Sequence, residues 1–265
     1  MASLSLLGAT ACAAPSSNAA NGQQELLVGS DMTYPPYDYF EGSTPAGLDY
    51  ELWQLLGPKI GVSATFKDTR FEQLINGLKS GTFEVISSAL YITPDRSKQI
   101  DFIPYFSTGN SIIAQSNSIH PPASTEDLCG TTVSVLKGSD ISKKLASDAN
   151  TVCQTAGKNP VDAREFATDP EATQALLSNQ VQAQVTDAAV AANIVEKKNT
   201  LKITSSELLY PVPVGMAVAK GNTELKERIE KGLEELRTGG EYEDLLKKYN
   251  LKTATEEQVK AALGN

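Results

Sequence analysis

Alternation of strand-like and helix-like stretches over residues 25–87 constrains this chain most. Residues 25–30 (ELLVGS) form a short apolar strand pattern, and 47–56 (GLDYELWQLL) place Leu48, Leu52, Leu55 and Leu56 at helical spacing. Residues 64–67 return to strand. The segment 71–78 (FEQLINGL) is again helical, with Leu74, Ile75 and Leu78 inward and Gly81 as its stop. A strand at 83–87 completes a β-α-β-α-β order, which demands strands linked by helical crossovers and so an α/β sheet covered on its faces.

A second alternating unit follows. The pattern gives an extended stretch at 101–105, a strand at 111–115, a break at SNSIHPPAS (116–124), and a strand at 132–136. Gly138-Ser139-Asp140 then opens a helix. Helix at 169–177, strand at 182–185 and helix at 188–197 come next. Prolines punctuate Tyr210-Pro211-Val212-Pro213, and a strand at 215–219 leads into helices at 223–237 and 241–249, split by Gly239-Gly240. The two Pro-containing crossings, near 114–120 and 207–213, divide the chain into two lobes. Lobe 1 takes 25–115 and 213–250, lobe 2 takes 116–212, and 251–265 is a tail with one short helix. Each lobe is expected to hold a mixed sheet flanked by helices, the two being joined by a two-strand hinge.

Composition excludes several classes of function. The net charge of −9 opposes phosphate binding, so nucleic acid is not a partner. With a single histidine, His120, metal-dependent and histidine-based chemistry lack their usual groups, and no cofactor is expected. Residues 1–24 read as a signal remnant and disordered lipoprotein spacer, in which Ala9-Thr10-Ala11 precede Cys12 as a lipidation site. Setting Cys12 aside leaves Cys129 and Cys153, an even pair expected to form a disulfide in an extracytoplasmic compartment.

Two strand ends carry chemistry. The stretch ISSALYITPDR (86–96) leaves an apolar strand through small and hydroxyl residues into a turn that delivers Arg96, and a guanidinium offers the planar fork that matches a carboxylate. VQAQVTDAAVAA (181–192) ends another strand on Asp187. One cation and one anion so placed suit the two backbone charges of a free amino acid.

With VGSDMTYPPYDY (28–39), GLDYELWQLL, IDFIPY (100–105), LCGTTVSVLKGSD (128–140) and GGEYEDLLKKY (239–249), the chain resembles the amino-acid-binding branch of bacterial extracytoplasmic solute-binding proteins, the receptors of ABC importers. The resemblance spans about 25–249 and implies a two-lobed, type II periplasmic-binding-protein-like clamp. It places Arg96 on a ligand α-carboxylate and Asp187 on the α-ammonium. Asp31, Tyr34 and Tyr37 fall in the aromatic loop over the ligand side chain. Ser88, Ala89 and Tyr91 line the approach to Arg96, and Ser139 and Asp140 stand at a helix start that caps the carboxylate. Tyr91 departs from the Ser or Thr usual there, and Asp140 from a second hydroxyl; Asp140 also reads as an ordinary helix cap. What the resemblance implies is a monomer, not an enzyme, that hands a polar or cationic amino acid to ABC permease subunits and touches the membrane only through a lipid anchor. The competing reading is a cyclohexadienyl dehydratase on the same fold, with Asp140 or Glu165 as general acid.

Overall fold

The computed structural model describes residues 24–264. The signal and spacer reading and the Cys12 lipidation site lie outside the described residues. The strands are β1 (Gln24–Ser30), β2 (Thr33–Tyr34), β3 (Asp38–Glu41), β4 (Thr44–Ala46), β5 (Val62–Asp68), β6 (Val85–Ile86), β7 (Ile100–Gln115), β8 (Thr132–Leu136), β9 (Asp162–Phe166), β10 (Ala183–Asp187), β11 (Leu201–Ile203), β12 (Leu209–Ala219) and β13 (Lys252–Thr253). The helices are α1 (Leu48–Ile60), α2 (Leu74–Lys79), α3 (Pro94–Ser97), α4 (Asp140–Lys144), α5 (Asn150–Thr155), α6 (Asp169–Leu177), α7 (Ala188–Lys197), α8 (Thr223–Gly239), α9 (Glu241–Lys248) and α10 (Glu256–Leu263). Among the described residues no helix is long and apolar enough to cross a membrane.

The large sheet runs β5-β1-β6-β12-β7-β10-β8-β9, and a small antiparallel sheet β2-β3-β4 carries the loop after β1. β1 is parallel to both β5 and β6, and β8 is parallel to both β9 and β10. β7 and β12 run antiparallel to each other between these two parallel groups. Two separate sheets were expected; the hydrogen bonding instead runs through a single curled ladder. The reason is the length of β7. Its first half pairs with β12, and its second half pairs with β10 and β11.

The sequence pattern broke β7 at Phe106-Ser107-Thr108-Gly109-Asn110, where polar residues mimic a loop. In the structure Thr108 and Asn110 are buried and the strand continues. Gly109 is required by a close neighbour, since a Cβ there would stand 2.9 Å from the Leu208 Cβ. Pro211 of β12 lies where its register against β7 shifts, between Leu209 and Val212, and Pro213 follows directly, opposite Ser107. Such irregularities tolerate a residue without an N–H.

Three apolar cores follow. The largest surrounds Trp53, Leu52, Leu56, Tyr105, Phe106, Met216 and Leu233, while Ile112 with Val133, Val185 and Leu145 forms a second, and Ile113 with Leu176 and Leu201 a third. Leu136 and Val190, from the far side, join the first core, so the two halves touch across a cleft.

α1 shows how the sequence builds the support behind the cleft. Its buried stripe is Leu48, Leu52, Trp53 and Leu56, with acidic Asp49 and Glu51 at the positive end of its dipole. It begins at Gly47 (φ 110°), where a Cβ would lie 2.2 Å from the Tyr37 carbonyl oxygen, and ends at left-handed Gly61.

The expected disulfide is present. Cys129 joins Cys153 on α5 with a Cα–Cα distance of 5.4 Å and closes a sequence separation of 24 residues. Replacing both cysteines by serine is expected to lower the unfolding free energy by about 3 kcal/mol, through the loop entropy returned to the unfolded chain. Urea unfolding checks this; an unchanged midpoint would mean that the bridge constrains nothing.

Candidate functional site

The segment between β6 and α3 is set by a buried acid that sequence reasoning missed. Asp49, on the first turn of α1, accepts from the Ser87 hydroxyl (2.9 Å) and from the Ala89 N–H (3.2 Å). That grip holds Ala89 at φ 44°, a left-handed backbone unfavourable for a residue with a Cβ. Asp38 is buried beside it. Burial first, then the Asp49 charge, push the Asp38 carboxyl well above the usual carboxylate range. The available sequence signal was an acid on the apolar stripe of α1.

After this bend the chain presents Tyr91 and then Arg96. Thr93 caps α3 by accepting from the Arg96 N–H, with Pro94 at the first helical position. The Arg96 guanidinium is 6% exposed and lies 5.5 Å from the centre of the Phe71 ring. Its Nη1 donates to the Tyr91 carbonyl (2.9 Å) and its Nη2 to the Gly138 carbonyl across the cleft (3.2 Å). Burial lowers its pKa, and the neighbouring Asp140 opposes that shift.

Asp187 ends β10 and caps α7, its Oδ1 accepting from the Ala189 N–H at 2.9 Å. Oδ1 also accepts from the Tyr37 hydroxyl (2.7 Å), and Oδ2 from the Tyr91 hydroxyl (2.8 Å). The residue is fully buried. Burial raises its carboxyl above the ordinary value, and the two phenol hydrogen bonds hold the rise in check. Burial and the Asp187 charge raise all three of Tyr34, Tyr37 and Tyr91, so each stays a neutral donor.

A cavity of about 20 Å³ sits between these groups, lined by Tyr34, Ala89, Tyr91, Arg96, Ser139 and Asp140 among the sequence-predicted residues. That is room for about one water, so a larger guest requires the walls to move. Phe71, Asn110, Leu136, Ile141, Val185 and Thr186 complete the lining and were not foreseen. The sequence pattern starts a helix at Phe71, but the helix begins at Leu74 and a tight turn over Phe71–Gln73 leaves the ring facing the cleft. Open grooves of about 740 Å³ beside Gln115 and Gln182, and of about 630 Å³ behind Thr108, are larger. Neither is lined by a buried cation or a buried acid, so the small cavity is the better candidate.

The other sequence-predicted residues stand behind the lining. Asp31 is 1% exposed and pairs with Arg70 (3.0 Å), while accepting from the Thr33 hydroxyl (2.6 Å) and the Phe71 N–H (2.9 Å). The Ser88 hydroxyl accepts from the Asp31 N–H (2.9 Å) and shapes the same loop. Tyr37 stacks on Phe106 with ring centres 5.2 Å apart, and its hydroxyl goes to Asp187 behind the lining. Ser139 caps α4, accepting from the Ser142 N–H at 3.3 Å, and Asp140 is half-buried on the first turn. Glu165 accepts from the Ser142 hydroxyl (2.6 Å) and does not line the cavity.

The halves are further joined by Lys137–Glu72 (2.9 Å), which is half-exposed and therefore worth little. Gly138 lies so close to the Glu72 backbone that a Cβ would meet its Cα at 3.1 Å. Deeper in, the Tyr34 hydroxyl meets Thr186 Oγ1 (3.3 Å), which donates to Asp169 (2.7 Å).

Asp169 gives the site a pH signature. Burial pushes its carboxyl up to about 6, against hydrogen bonds from Thr186 and Gln184. A raised folded-state value means that the native state holds the proton more tightly than the unfolded chain. The resulting stability is complete below about pH 4 and is lost as pH rises through about 6. Asp169→Asn is therefore expected to be about 2–3 kcal/mol more stable than wild type at pH 8, with the difference shrinking toward pH 4. Urea midpoints across that range test it; a pH-independent difference would contradict it.

Residues 26–252 match the sequence profile of bacterial extracellular solute-binding proteins, family 3. The chain belongs to this family. The arginine-binding extracellular protein ArtP of Bacillus subtilis is 30% identical over 247 residues, covering 91% of each chain. An ancestral arginine-binding protein, solved with arginine bound, superposes with a TM-score of 0.76 at 35% identity, covering 86% of this chain and 99% of that one. The ancestral amino acid-binding protein AncCDT-1, described as a precursor of cyclohexadienyl dehydratase, gives 0.74 at 28% identity, covering 86% and 96%. The family 3 fold is thus the two-lobed α/β clamp expected from the motifs.

Proposed function

We propose that this family 3 protein captures a free amino acid between its lobes and presents it to the permease of an ABC importer. The observation that carries the reading is the convergence of Arg96 and Asp187, from opposite halves, on the two ends of Tyr91. In a partly opened cleft the guanidinium takes the α-carboxylate and Asp187 takes the α-ammonium. Ligand binding bridges the halves and favours the closed form by its affinity difference between states. Tyr34 and Phe71, with Leu136, Ile141 and Val185, then wall the side chain, and Asp140 at the cavity rim favours a polar or cationic one. Asp31 adds little to that preference, because Arg70 already neutralises it. Arginine recognition by ArtP points the same way.

Ile112 and Ile113 pack into the second and third cores, which supports a lobe boundary inside β7 near Gly109 instead of at residue 115. The protein works outside the cytoplasm, in keeping with its family and its disulfide; the same reading makes it a monomer, held to the membrane by lipid on Cys12. It is a binder and not an enzyme. Of the two acids a dehydratase could use, Glu165 is engaged by Ser142 outside the cavity, and Asp140 lines the cavity beside Arg96 with no second acid among the lining residues to act as its paired base.

Titration calorimetry with the common amino acids and with prephenate tests the reading. One or a few amino acids should bind at one per chain without turnover. Binding by none of them, or conversion of prephenate, would overturn it.

A further inference from the structure

Asp187 has two carboxylate oxygens in unequal positions. Oδ1 is taken by the Tyr37 hydroxyl and the Ala189 N–H, whereas Oδ2 accepts from the Tyr91 hydroxyl at 2.8 Å; the Thr108 hydroxyl also stands beside this carboxylate. Tyr91 lines the cavity and Asp187 does not, so the phenol ring is the wall between the cavity and the acid. Tyr91 is further fixed by Asn110, whose Nδ2 donates to its hydroxyl at 3.1 Å, and by a backbone bridge to Val214 of β12. Its carbonyl accepts from Arg96 at 2.9 Å. One residue therefore contacts both charged anchors.

We propose that Tyr91 is the residue that sets ligand affinity in this cleft, because its hydroxyl competes for the Asp187 oxygen that an incoming α-ammonium must occupy. The inference rests on the amino-acid reading above and deepens it. Because the phenol ring stands between the cavity and the acid, the ammonium reaches Oδ2 only when the phenol swings aside; Asp187 then exchanges one donor for a charged one, and the phenol oxygen can keep the Asn110 N–H while its own proton loses its acceptor. The phenol contact also ties the first half to Asp187 in the second, so the same displacement loosens a bond across the hinge. A ligand without an ammonium makes no such exchange and binds by the Arg96 fork alone. The competition is thus specific to the amine and indifferent to the side chain. Pocket size is a separate effect, which a smaller residue at position 91 would change together with the competition.

Two variants separate these effects. Tyr91→Phe keeps the ring and removes the competing hydroxyl; Tyr91→Ser also opens the wall. Calorimetry with L-arginine and with desamino-arginine on wild type and both variants is the test, with thermal melts to confirm folding. Tyr91→Phe is expected to bind L-arginine about tenfold more tightly than wild type, the scale of one hydrogen bond to a charged group, with desamino-arginine changed by less than about threefold. Tyr91→Ser, if folded, should shift both ligands through the wider pocket and still favour L-arginine over desamino-arginine by about the same added factor as Tyr91→Phe. Equal or weaker L-arginine binding in the folded variants, or an equal gain for both ligands, overturns the proposal. If wild type binds amino acids and the variants gain nothing, only the Tyr91 assignment fails. If wild type and variants alike bind no amino acid, the functional reading fails with it.

Discussion

Replacing Arg96 by alanine is expected to weaken amino-acid binding by a factor of about 100 or more. The magnitude follows from removing one partner of a charge pair in a desolvated site, which costs about 3–5 kcal/mol. Arg96 is almost fully buried and offers the only guanidinium among the residues lining the cavity. Without it, a ligand carboxylate in the closed cleft would face the half-buried Asp140 with no counter-charge. Arg96 also donates to one carbonyl on each side of the cleft, so its loss removes a contact that favours closure. Arg96→Lys should fall between the two, since it keeps the charge and loses the planar fork. Calorimetry decides; affinity within threefold of wild type in the alanine variant would remove Arg96 from the site.

Asp187→Ala should damage both binding and stability. It strips the acceptor from two buried phenols and from the Ala189 N–H at the start of α7. A buried donor left without a partner costs about 1–3 kcal/mol, so the unfolding free energy should fall by about 3 kcal/mol after allowing for the relief of a buried charge. Amino-acid affinity should fall about as far as in Arg96→Ala. Urea unfolding reads the first effect and calorimetry the second. Asp187→Asn separates them: it retains an oxygen acceptor and much of the stability while losing the charge. A stable Asp187→Ala protein with intact binding would show that the carboxylate serves neither purpose.

Much of this arrangement was legible before any coordinates. The sequence places the helix at 188–197 at its observed ends because Asp187 caps an unbroken apolar stripe. The lobe alternation, the Cys129–Cys153 bridge and the capped tail helix α10 follow from equally local signals. Longer-range facts were not readable. Ser107-Thr108-Gly109-Asn110 has the composition of a loop and forms strand because β12 and β10 lie against it. Asp31 reads as a free acid until the fold brings Arg70 to it, and Tyr37 reads as a wall until Phe106 covers its ring. The hydroxyl of Tyr91 meets Asp187 across 96 positions of sequence, a pairing that local pattern does not encode.

In the proposed function, a guanidinium from one half and a carboxylate from the other hold the two backbone charges of one amino acid. The most direct measurement compares the tightest-binding amino acid with its decarboxylated amine, by calorimetry, on wild type and on Arg96→Ala. Wild type should prefer the intact amino acid by about 100-fold or more, and Arg96→Ala should show almost no preference, because the lost carboxylate and the lost guanidinium are partners. Equal binding of both compounds by wild type, or a preference that survives in Arg96→Ala, would contradict the account.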